Sequence, residues 1–338
     1  MKDSLYIIAE IGNTHEGSVG LAKKFIDTAK EVGADAVKFQ THLFEYESTE
    51  NAPSPEYFKL ESRQKYFKRT SFNIEEWLEL KNYAEKKVKI DFLSSPFSLE
   101  AVELLETLDI KIFKIPSGEV TNVPLLEKIA SLNKPVFLST GMSTYREIDN
   151  AINIFKSKNC KDLTIMQCTS DYPCMPERSG LNIIDEFKEI YPELKIGFSD
   201  HTEGMYASLA ALTKGAKTIE KHLTLSKKMY GSDAIYATEP LEFRKLCSEL
   251  RKLDSALNSK LDKDEVSSSL NNMKNIFEKS IVFAKNLKKG EKITKKNIAF
   301  KKPGDGLKPK EYTSLIGKIL KKGVKKNQKV KMNDFINK

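Results

Sequence analysis

The chain has 338 residues, 40% of them hydrophobic, and a formal net charge of +9. It is long enough to bury a full core in one large domain and a small one, and no apolar run approaches the roughly 20 residues that cross a bilayer. No apolar signal-peptide core precedes the first strand pattern, so we expect a cytoplasmic protein without a membrane partner. The four cysteines have neither metal-ligand nor redox-pair spacing, and we expect free thiols.

Short apolar runs alternate with helical patterns along most of the chain. The runs that we predict as strands are 6–11, 36–40, 90–94, 112–115, 136–139, 163–167, 195–198 and 218–221. Helical spacing lies between them, for example at 99–108 and 148–155. Eight alternating units match the size and order of a parallel (β/α)₈ barrel, the TIM barrel. A doubly wound open sheet is the alternative, but no glycine-rich dinucleotide turn follows the first strand.

Three segments depart from this alternation. Segment 41–70 is long, charged and aromatic, and loops of this length on a barrel are usually functional or mobile. Residues 258–275 are rich in Asn, Ser, Asp and Lys, a composition typical of a linker. The last segment offers short strands and turns. We therefore predict a barrel domain at 1–257, a linker at 258–275 and a small β-rich domain at 276–338.

Positive charge is concentrated in the C-terminal segment. Residues 276–338 contain 19 lysines, no arginine and 5 acidic residues, so this segment carries +14 and the remainder −5. A basic end module is one signature of nucleic-acid binding, but these lysines are not interleaved with the aromatic residues or arginines that read bases. We therefore expect no nucleic-acid partner.

Two of the four histidines occupy matching positions, each just past a predicted strand. His201 ends the string KIGFSDH and His222 ends the string TIEKH, about twenty residues further on, with a helical segment between them. If the two runs are consecutive parallel strands, both imidazoles point into one site, the arrangement that a divalent metal needs. A single histidine at a strand end is more often an ordinary hydrogen-bonded residue, so it is the pairing that favours a metal.

The carboxyl ends of barrel strands form the active-site face, and here they carry hydroxyls, lysines and carboxylates. In chain order these residues are Glu10, Lys38, Gln40, Ser94, Ser95, Lys114, Ser117, Glu119, Ser139, Thr140, Thr169, Ser170, Tyr172, Ser199, Asp200, His201, Glu220 and His222. Each serine alone is better explained as satisfying a turn. A ring of hydroxyls with two lysines nevertheless suits a small phosphate or carboxylate, because each oxygen takes several donors. We therefore expect a bound phosphate compound beside a metal.

Seven strings, in order, closely resemble the bacterial sialic acid synthase family. They are AEIGNTHEG (9–17), VKFQT (37–41), SSPF (94–97), FKIPSGE (113–119), LSTGM (138–142), GFSDHT (197–202) and EKH (220–222). The C-terminal segment resembles the antifreeze-like, or SAF, module of that family. The resemblance implies a TIM barrel followed by this module, in a domain-swapped homodimer. It also implies condensation of phosphoenolpyruvate with an N-acylated mannosamine-type sugar, using a divalent cation, commonly Mn²⁺, with Mg²⁺ or Co²⁺ as options.

By position, the resemblance also implies roles for individual residues. His201 and His222 would bind the metal, with Glu10 close by. The phosphoenolpyruvate pocket would be lined by Lys38, Ser95, Lys114, Ser117, Ser139, Ser170 and Ser199. The sugar would face Glu119, Tyr172, Asp233 and, from the tail of a neighbouring subunit, Lys302. Glu10 and Glu119 are the candidates for proton transfer, and Lys38 completes the catalytic set.

Two departures from the family pattern fall on the sugar side. The family's Lys-Arg-Pro-Gly string reads Lys301-Lys302-Pro303-Gly304 here, and a lysine keeps the charge of arginine but loses its planar fork. Segment 41–70 lacks a match to a sugar-contacting asparagine.

Three functional hypotheses follow from these strings. The first is an N-acetylneuraminate synthase that uses N-acetylmannosamine. The alternative is a legionaminic or pseudaminic acid synthase that uses a 6-deoxy diacetamido hexose, and residues 112–126 resemble the legionaminic branch. The remaining alternative is a non-catalytic, anion-binding barrel.

Overall fold

Eight parallel strands close into a barrel in the computed structural model, which describes residues 4–54, 61–160 and 162–336. The strands follow one another around the barrel in chain order, and β1 pairs with β8 to close it. Their bounds are β1 Tyr6–Gly12, β2 Ala36–Thr41, β3 Asp91–Pro96, β4 Phe113–Ile115, β5 Val136–Ser139, β6 Leu163–Cys168, β7 Lys195–Asp200 and β8 Thr218–His222. The predicted (β/α)₈ barrel is confirmed, and each predicted run falls on one of these strands.

Helices connect the strands and supply the outer layer of the core. Their bounds are α1 Val19–Glu31, α2 Phe44–Glu47, α3 Arg63–Thr70, α4 Ile74–Asn82, α5 Leu99–Thr107, α6 Val123–Ser131, α7 Tyr145–Ser157, α8 Leu181–Ile190, α9 Tyr206–Thr213 and α10 Pro240–Asn258. Several begin where a Ser, Thr or Asn side chain accepts a hydrogen bond from a backbone N–H of the first turn, as Ser18, Ser98 and Thr144 do. Local sequence therefore sets many of the helix starts.

The inside of the barrel has an apolar layer followed by a polar one. Ile8, Ala36, Leu93, Ile112, Phe137 and Met166 form a separate buried cluster. Side chains two residues apart on a strand share a face. Toward the carboxyl ends of the strands, Ile8 is therefore followed by Glu10, and Ile112 by Lys114. The apolar layer seals one end of the barrel, and the polar layer above it forms the floor of the site.

Segment 41–70 is partly helical, because it contains α2 and α3; residues 55–60, which belong to the same predicted loop, lie outside the described residues. Helix α3 docks on the turn after β1. Arg69 pairs with Glu16 at 2.6 Å and also with Glu61. Gly17 has φ +75°, and a Cβ there would lie 2.0 Å from the carbonyl oxygen of Arg69. Glycine at position 17 thus permits the backbone contact that holds α3 in place.

The chain divides into two compact units, Met1–Asn258 and Ser259–Lys338. The second contains α11 Lys263–Ser269, α12 Asn271–Phe277, an antiparallel pair of β9 Ser280–Phe283 and β10 Ile298–Lys301, and α13 Tyr312–Leu315. Its own core includes Ile281, Phe283, Leu315 and Phe335. The segment predicted as a linker is largely helical, because the Asp262 side chain accepts from the N–H groups of Asp264 and Glu265 and so starts α11. Within the described residues, no helix is both long and apolar enough to cross a membrane.

Candidate active site

A cavity of about 370 Å³ opens at the carboxyl ends of the barrel strands. The predicted site residues that line it are Glu10, Lys38, Ser95, Lys114, Ser117, Ser139, Ser170, Tyr172, Ser199, His201, His222 and Asp233. Glu119 stands just outside this lining, beside Ser117 and Gly118, and its carboxylate accepts a hydrogen bond from Asn122 at 2.7 Å. Lys302 belongs to the second unit, where its ammonium lies 5.0 Å from the centre of the Phe277 ring. Its predicted role at the sugar stays a prediction.

Four buried charges form the floor of the cavity. The Lys114 ammonium donates to both carboxylate oxygens of Glu220, at 2.7 and 2.8 Å. The Lys38 ammonium lies 3.0 Å from Glu10 Oε2 and 3.4 Å from Glu220 Oε1. All four side chains are almost fully buried. Two lysines against two carboxylates make the cluster electrically balanced, as burial of charge requires.

The two lysines differ in how firmly they hold their protons. Burial alone would lower the pKa of Lys38, but Glu10 and Glu220 outweigh it and raise that pKa. Burial does lower the pKa of Lys114, and the charge of Lys38 adds to the effect while Glu220 opposes it. Burial would raise the pKa of Glu220, but the two lysines lower it to about 2. Glu220 is therefore the anion that holds both cations in place.

Three serines complete the floor. The Lys38 ammonium donates to Ser95 Oγ at 3.2 Å, and Ser199 Oγ donates to Glu220 at 3.2 Å. The buried hydroxyl of Ser139 has no hydrogen-bond partner in the described part of the chain. An unpaired buried hydroxyl costs free energy, so this group is placed to bond a ligand.

Two further hydroxyls converge on the loop after β5. Ser117 Oγ accepts a hydrogen bond from the backbone N–H of Gly141 at 2.9 Å. A Cβ at Gly141 would lie 2.5 Å from Ser170 Oγ and 2.8 Å from Ser117 Oγ. Only glycine lets both hydroxyls approach the backbone here, and together they form a cradle for anionic oxygens.

The paired histidines meet at the opposite wall. Their ring centres are 5.6 Å apart. His201 Nδ1 donates to the carbonyl oxygen of Thr169 at 2.9 Å, so its Nε2 offers a lone pair, with the Tyr172 hydroxyl 3.2 Å away. The buried His222 Nδ1 has no hydrogen-bond partner among the residues described. Burial lowers the pKa of His222, whereas at His201 the neighbouring Cys168 outweighs burial and raises the pKa.

This wall fits a cation with an incomplete protein shell. A small space of about 10 Å³, which is room for one water-sized group, is lined by Tyr172, Asp200, His201, Lys221, His222, Asp233 and Tyr236. The charge of Lys221 is paired with Asp200 at 3.0 Å. In the described ranges, this wall included, no group of three or more His, Cys, Asp or Glu is placed to hold a metal by itself. A cation here would be bound by the two imidazoles and would take its other ligands from water and substrate.

Sequence reasoning gave no role to several residues that line the site. Glu220 stands at a strand end, and its role comes from its pairing with Lys114 and Lys38 in the structure. Gln40, His42 and Arg63 also line the cavity, and the buried Nε of Arg63 lacks a hydrogen-bond partner in the described segments. Glu220 and Gln40 carried a local signal, because Glu220 lies two residues before His222 on β8 and Gln40 two residues after Lys38 on β2, so each shares a strand face with a predicted site residue.

The four cysteines are free, as predicted. One of them belongs to the site: Cys168, at the end of β6, lies with its sulfur 3.9 Å from His201 Nδ1 and lines the cavity.

Comparisons with known proteins identify relatives over nearly the whole chain. The NeuB family model matches residues 25–262 and the SAF domain model matches residues 278–336. N,N'-diacetyllegionaminic acid synthase from Campylobacter jejuni is 40% identical over 98% of this chain and 100% of its own length. Pseudaminic acid synthase from Helicobacter pylori is 31% identical over 97% of each chain. A crystal structure of N-acetylneuraminic acid synthetase from Leptospira borgpetersenii, in complex with citrate, has a TM-score of 0.69 and 32% identity over 80% of this chain and 92% of that one.

Proposed function

Because this chain belongs to the NeuB family, we propose that it condenses phosphoenolpyruvate with a 6-deoxy diacetamido hexose to form N,N'-diacetyllegionaminic acid and phosphate. The chain is an enzyme, a synthase of the class that builds sugar acids from phosphoenolpyruvate. The choice of acceptor is supported by the 40% identity to a diacetyllegionaminic acid synthase over nearly the whole chain. N-acetylmannosamine, our first expectation from the sequence, is the second candidate, favoured by the likeness to a solved N-acetylneuraminic acid synthetase.

The buried lysine pair is the observation that carries this proposal. Phosphoenolpyruvate brings a phosphate and a carboxylate, and Lys38 and Lys114 supply two buried cations at the floor of the cavity. The unpaired Ser139 hydroxyl and the Ser117 and Ser170 hydroxyls around Gly141 add donors for its oxygens. Charge-assisted hydrogen bonds of this kind contribute roughly 1.5 to 3 kcal/mol each.

Two carboxylates are assigned to proton transfer. Carbon 3 of phosphoenolpyruvate forms a bond to the sugar aldehyde carbon, whose oxygen takes up a proton. Water then adds to carbon 2 and loses one proton, which leaves a hydroxyl on a tetrahedral carbon. The bond from carbon 2 to the phosphate oxygen breaks, the hydroxyl becomes the ketone, and its proton leaves with phosphate. Burial raises the pKa of Glu119, which suits it to deliver the first proton, and Glu10, inside the barrel, accepts the second.

A divalent cation, Mn²⁺ in our proposal, would bind to His201 and His222. When bound it supplies Lewis-acid polarisation of the aldehyde. We expect His201→Ala and His222→Ala to lose tightly bound metal while keeping the secondary structure of the barrel. Metal analysis and circular dichroism of the purified variants test this, with His15→Asn as the matched control, because His15 is buried away from the cavity. Full metal content in either variant would contradict the assignment.

The function is tested by supplying phosphoenolpyruvate, Mn²⁺ and each candidate sugar in parallel, and measuring the phosphate released and the mass of the product. We expect the highest kcat/KM with the diacetamido hexose. A higher value with N-acetylmannosamine would select the second candidate. Binding of phosphoenolpyruvate without phosphate release from any sugar would favour the non-catalytic barrel and end the proposal.

We also propose that the enzyme works in the cytoplasm as a domain-swapped homodimer, in which the lysine-rich second unit completes the sugar site of the other subunit. The support is the family resemblance and the charge contrast of +14 in residues 276–338 against −5 in the rest of the chain.

A further inference from the structure

His42 lies in an aromatic slot at the edge of the cavity, directly after β2. Its ring is stacked between Phe67 and Phe97, with ring centres 3.9 and 4.0 Å apart and planes tilted by 8° and 20°. All three side chains line the cavity, and His42 is buried. None of the roles assigned so far uses this ring.

The ring is also one link in a chain of hydrogen bonds that reaches Glu10. His42 Nδ1 lies 2.9 and 3.0 Å from the two carboxylate oxygens of Glu47. His42 Nε2 lies 3.0 Å from Gln40 Oε1, and Gln40 Nε2 donates to Glu10 Oε1 at 2.7 Å. The chain therefore runs Glu47, His42, Gln40, Glu10, and it ends on the candidate proton acceptor.

The donor and acceptor of each hydrogen bond follow from the carboxylates at the two ends of this chain, because a carboxylate only accepts. The Glu10 carboxylate accepts, so the amide nitrogen of Gln40 must face it and the amide oxygen must face His42. His42 Nε2 therefore donates to that oxygen, and Nδ1 donates to Glu47. If the Gln40 amide were reversed, its oxygen would face the Glu10 carboxylate, and two acceptors would oppose each other. A further carboxylate, Glu119, is within electrostatic range of both His42 and Glu47.

We propose that His42 is a positioning residue that fixes the Gln40 amide and, through it, the orientation of Glu10. Any aromatic ring would fill the slot between the two phenyl rings, so stacking alone does not explain a histidine here. A phenylalanine would not need the Glu47 carboxylate as a partner, and that side chain is only 4% exposed. The buried carboxylate and the imidazole together give Gln40 one orientation rather than two. The inference rests on the proposed function only in the role given to Glu10.

The kinetic test is a double-mutant cycle with His42→Phe and Gln40→Leu. Phenylalanine keeps the stack with Phe67 and Phe97 but donates to nothing. We expect His42→Phe to lower kcat about tenfold or more while KM for phosphoenolpyruvate stays within about twofold, because a hydrogen bond to a charged group has been weakened. In the Gln40→Leu background His42→Phe should cost nothing further. Losses that multiply in the double variant, or no loss in His42→Phe, would overturn the proposal.

A second measurement does not depend on catalysis. With ¹⁵N-histidine, each ring nitrogen reports whether it carries a proton, and the His42 signals are identified by their loss in His42→Phe. We expect both His42 nitrogens to be protonated in the wild type, where Nδ1 faces the Glu47 carboxylate. In Glu47→Gln we expect Nδ1 to lose its proton, because the negative charge is gone and the amide N–H₂ can donate to Nδ1. An unprotonated Nε2 in the wild type would overturn the proposal. If no sugar releases phosphate, the proposed function fails, and these spectra still decide the role of His42.

Discussion

The buried ring of His15 predicts that the protein loses unfolding free energy at acidic pH. His15 is fully buried and stacks on Phe72 with ring centres 4.5 Å apart, while its Nδ1 accepts a hydrogen bond from the Gly17 N–H at 3.2 Å. Burial lowers the pKa of His15 to about 3. The folded protein therefore excludes a proton that the unfolded chain binds below about pH 6.5.

The sign of the stability change follows from that difference. A lowered pKa in the folded state contributes stability above pH 6.5, and that contribution is lost as the pH falls toward 3. Between pH 7.5 and 5 we expect the wild type to lose about 2 kcal/mol more unfolding free energy than His15→Asn. Urea denaturation of both proteins at the two pH values measures this. Equal losses in the two proteins would show that His15 is not responsible.

The buried cluster of lysines and carboxylates predicts that removing one charge destabilises the fold and that removing its partner as well restores much of the stability. Lys114→Met leaves Glu220 with Lys38 alone, at 3.4 Å, so we expect it to cost about 3 kcal/mol of unfolding free energy. Adding Glu220→Gln should restore more than half of the loss, because no unpaired charge then remains. Urea denaturation measures both, and Lys111→Met, an exposed lysine nearby, is the control that should change little. No recovery in the double variant would mean that packing, not charge, sets the loss.

At this scale the sequence predicts which residues reach the cavity but not how they pair. Lys38, Lys114 and the serines stand at strand ends, so the period of the strand and the barrel topology are enough to place them together. Glu220 pairs with a lysine 106 residues away, and nothing local indicates which carboxylate neutralises which lysine. His42 was missed for the same reason, because its partners Phe67 and Phe97 come from other segments.

The loop after β5 gives a prediction at the scale of one element. A methyl group at Gly141 would displace the Ser117 and Ser170 hydroxyls that lie 2.8 and 2.5 Å from its position. We expect Gly141→Ala to raise KM for phosphoenolpyruvate about tenfold or more, since a charge-assisted contact is lost, and to change KM for the sugar less. Steady-state kinetics with each substrate varied will measure this.

A neighbouring glycine provides the control for that experiment. A Cβ at Gly118 would lie no closer than 3.7 Å to Met142, which is ordinary contact, so Gly118→Ala should stay near the wild type. If both substitutions raised KM equally, general loop distortion rather than the serine cradle would be the cause.

Elements defined by local pattern were predicted well, and those that depend on docking were not. Each barrel strand is a short apolar run between helical segments, which the sequence displays directly. Helix α3 has mostly polar residues, and its place depends on Arg69 bridging Glu16 and Glu61 and on the absence of a side chain at Gly17. The helices α11 and α12 fell in a segment whose composition is that of a linker, and composition does not report a cap such as Asp262.

At the scale of the whole molecule, the dimer proposal predicts rescue between two inactive chains. One chain is full-length with His201→Ala; the other is wild type in the barrel but lacks the residues from Ile276 onward. We expect each to be inactive alone and activity to return on mixing, because the intact barrel receives the tail of the other subunit. Phosphate release and mass measurement of the mixture test this, with a tail-deleted His201→Ala chain as the control. Mixed dimers that stay inactive would contradict action of the tail across subunits.

Barrel closure also fixes the order in which a growing chain becomes an enzyme. Strand β1 can pair with β8 only after β8 has been synthesised, since Tyr6 pairs with Thr218 and Glu10 with His222. At a synthesis rate of about 5 to 20 residues per second, the interval between them is roughly 10 to 40 s. During that interval the nascent chain has two unpaired strand edges. Lys38 and Lys114 also lack the Glu220 carboxylate that pairs with both of them in the folded protein. Strand β8 therefore ends the exposure of both edges and also brings Glu220 and His222 to the cavity, so the barrel's own part of the site and the protection from aggregation are completed in the same step.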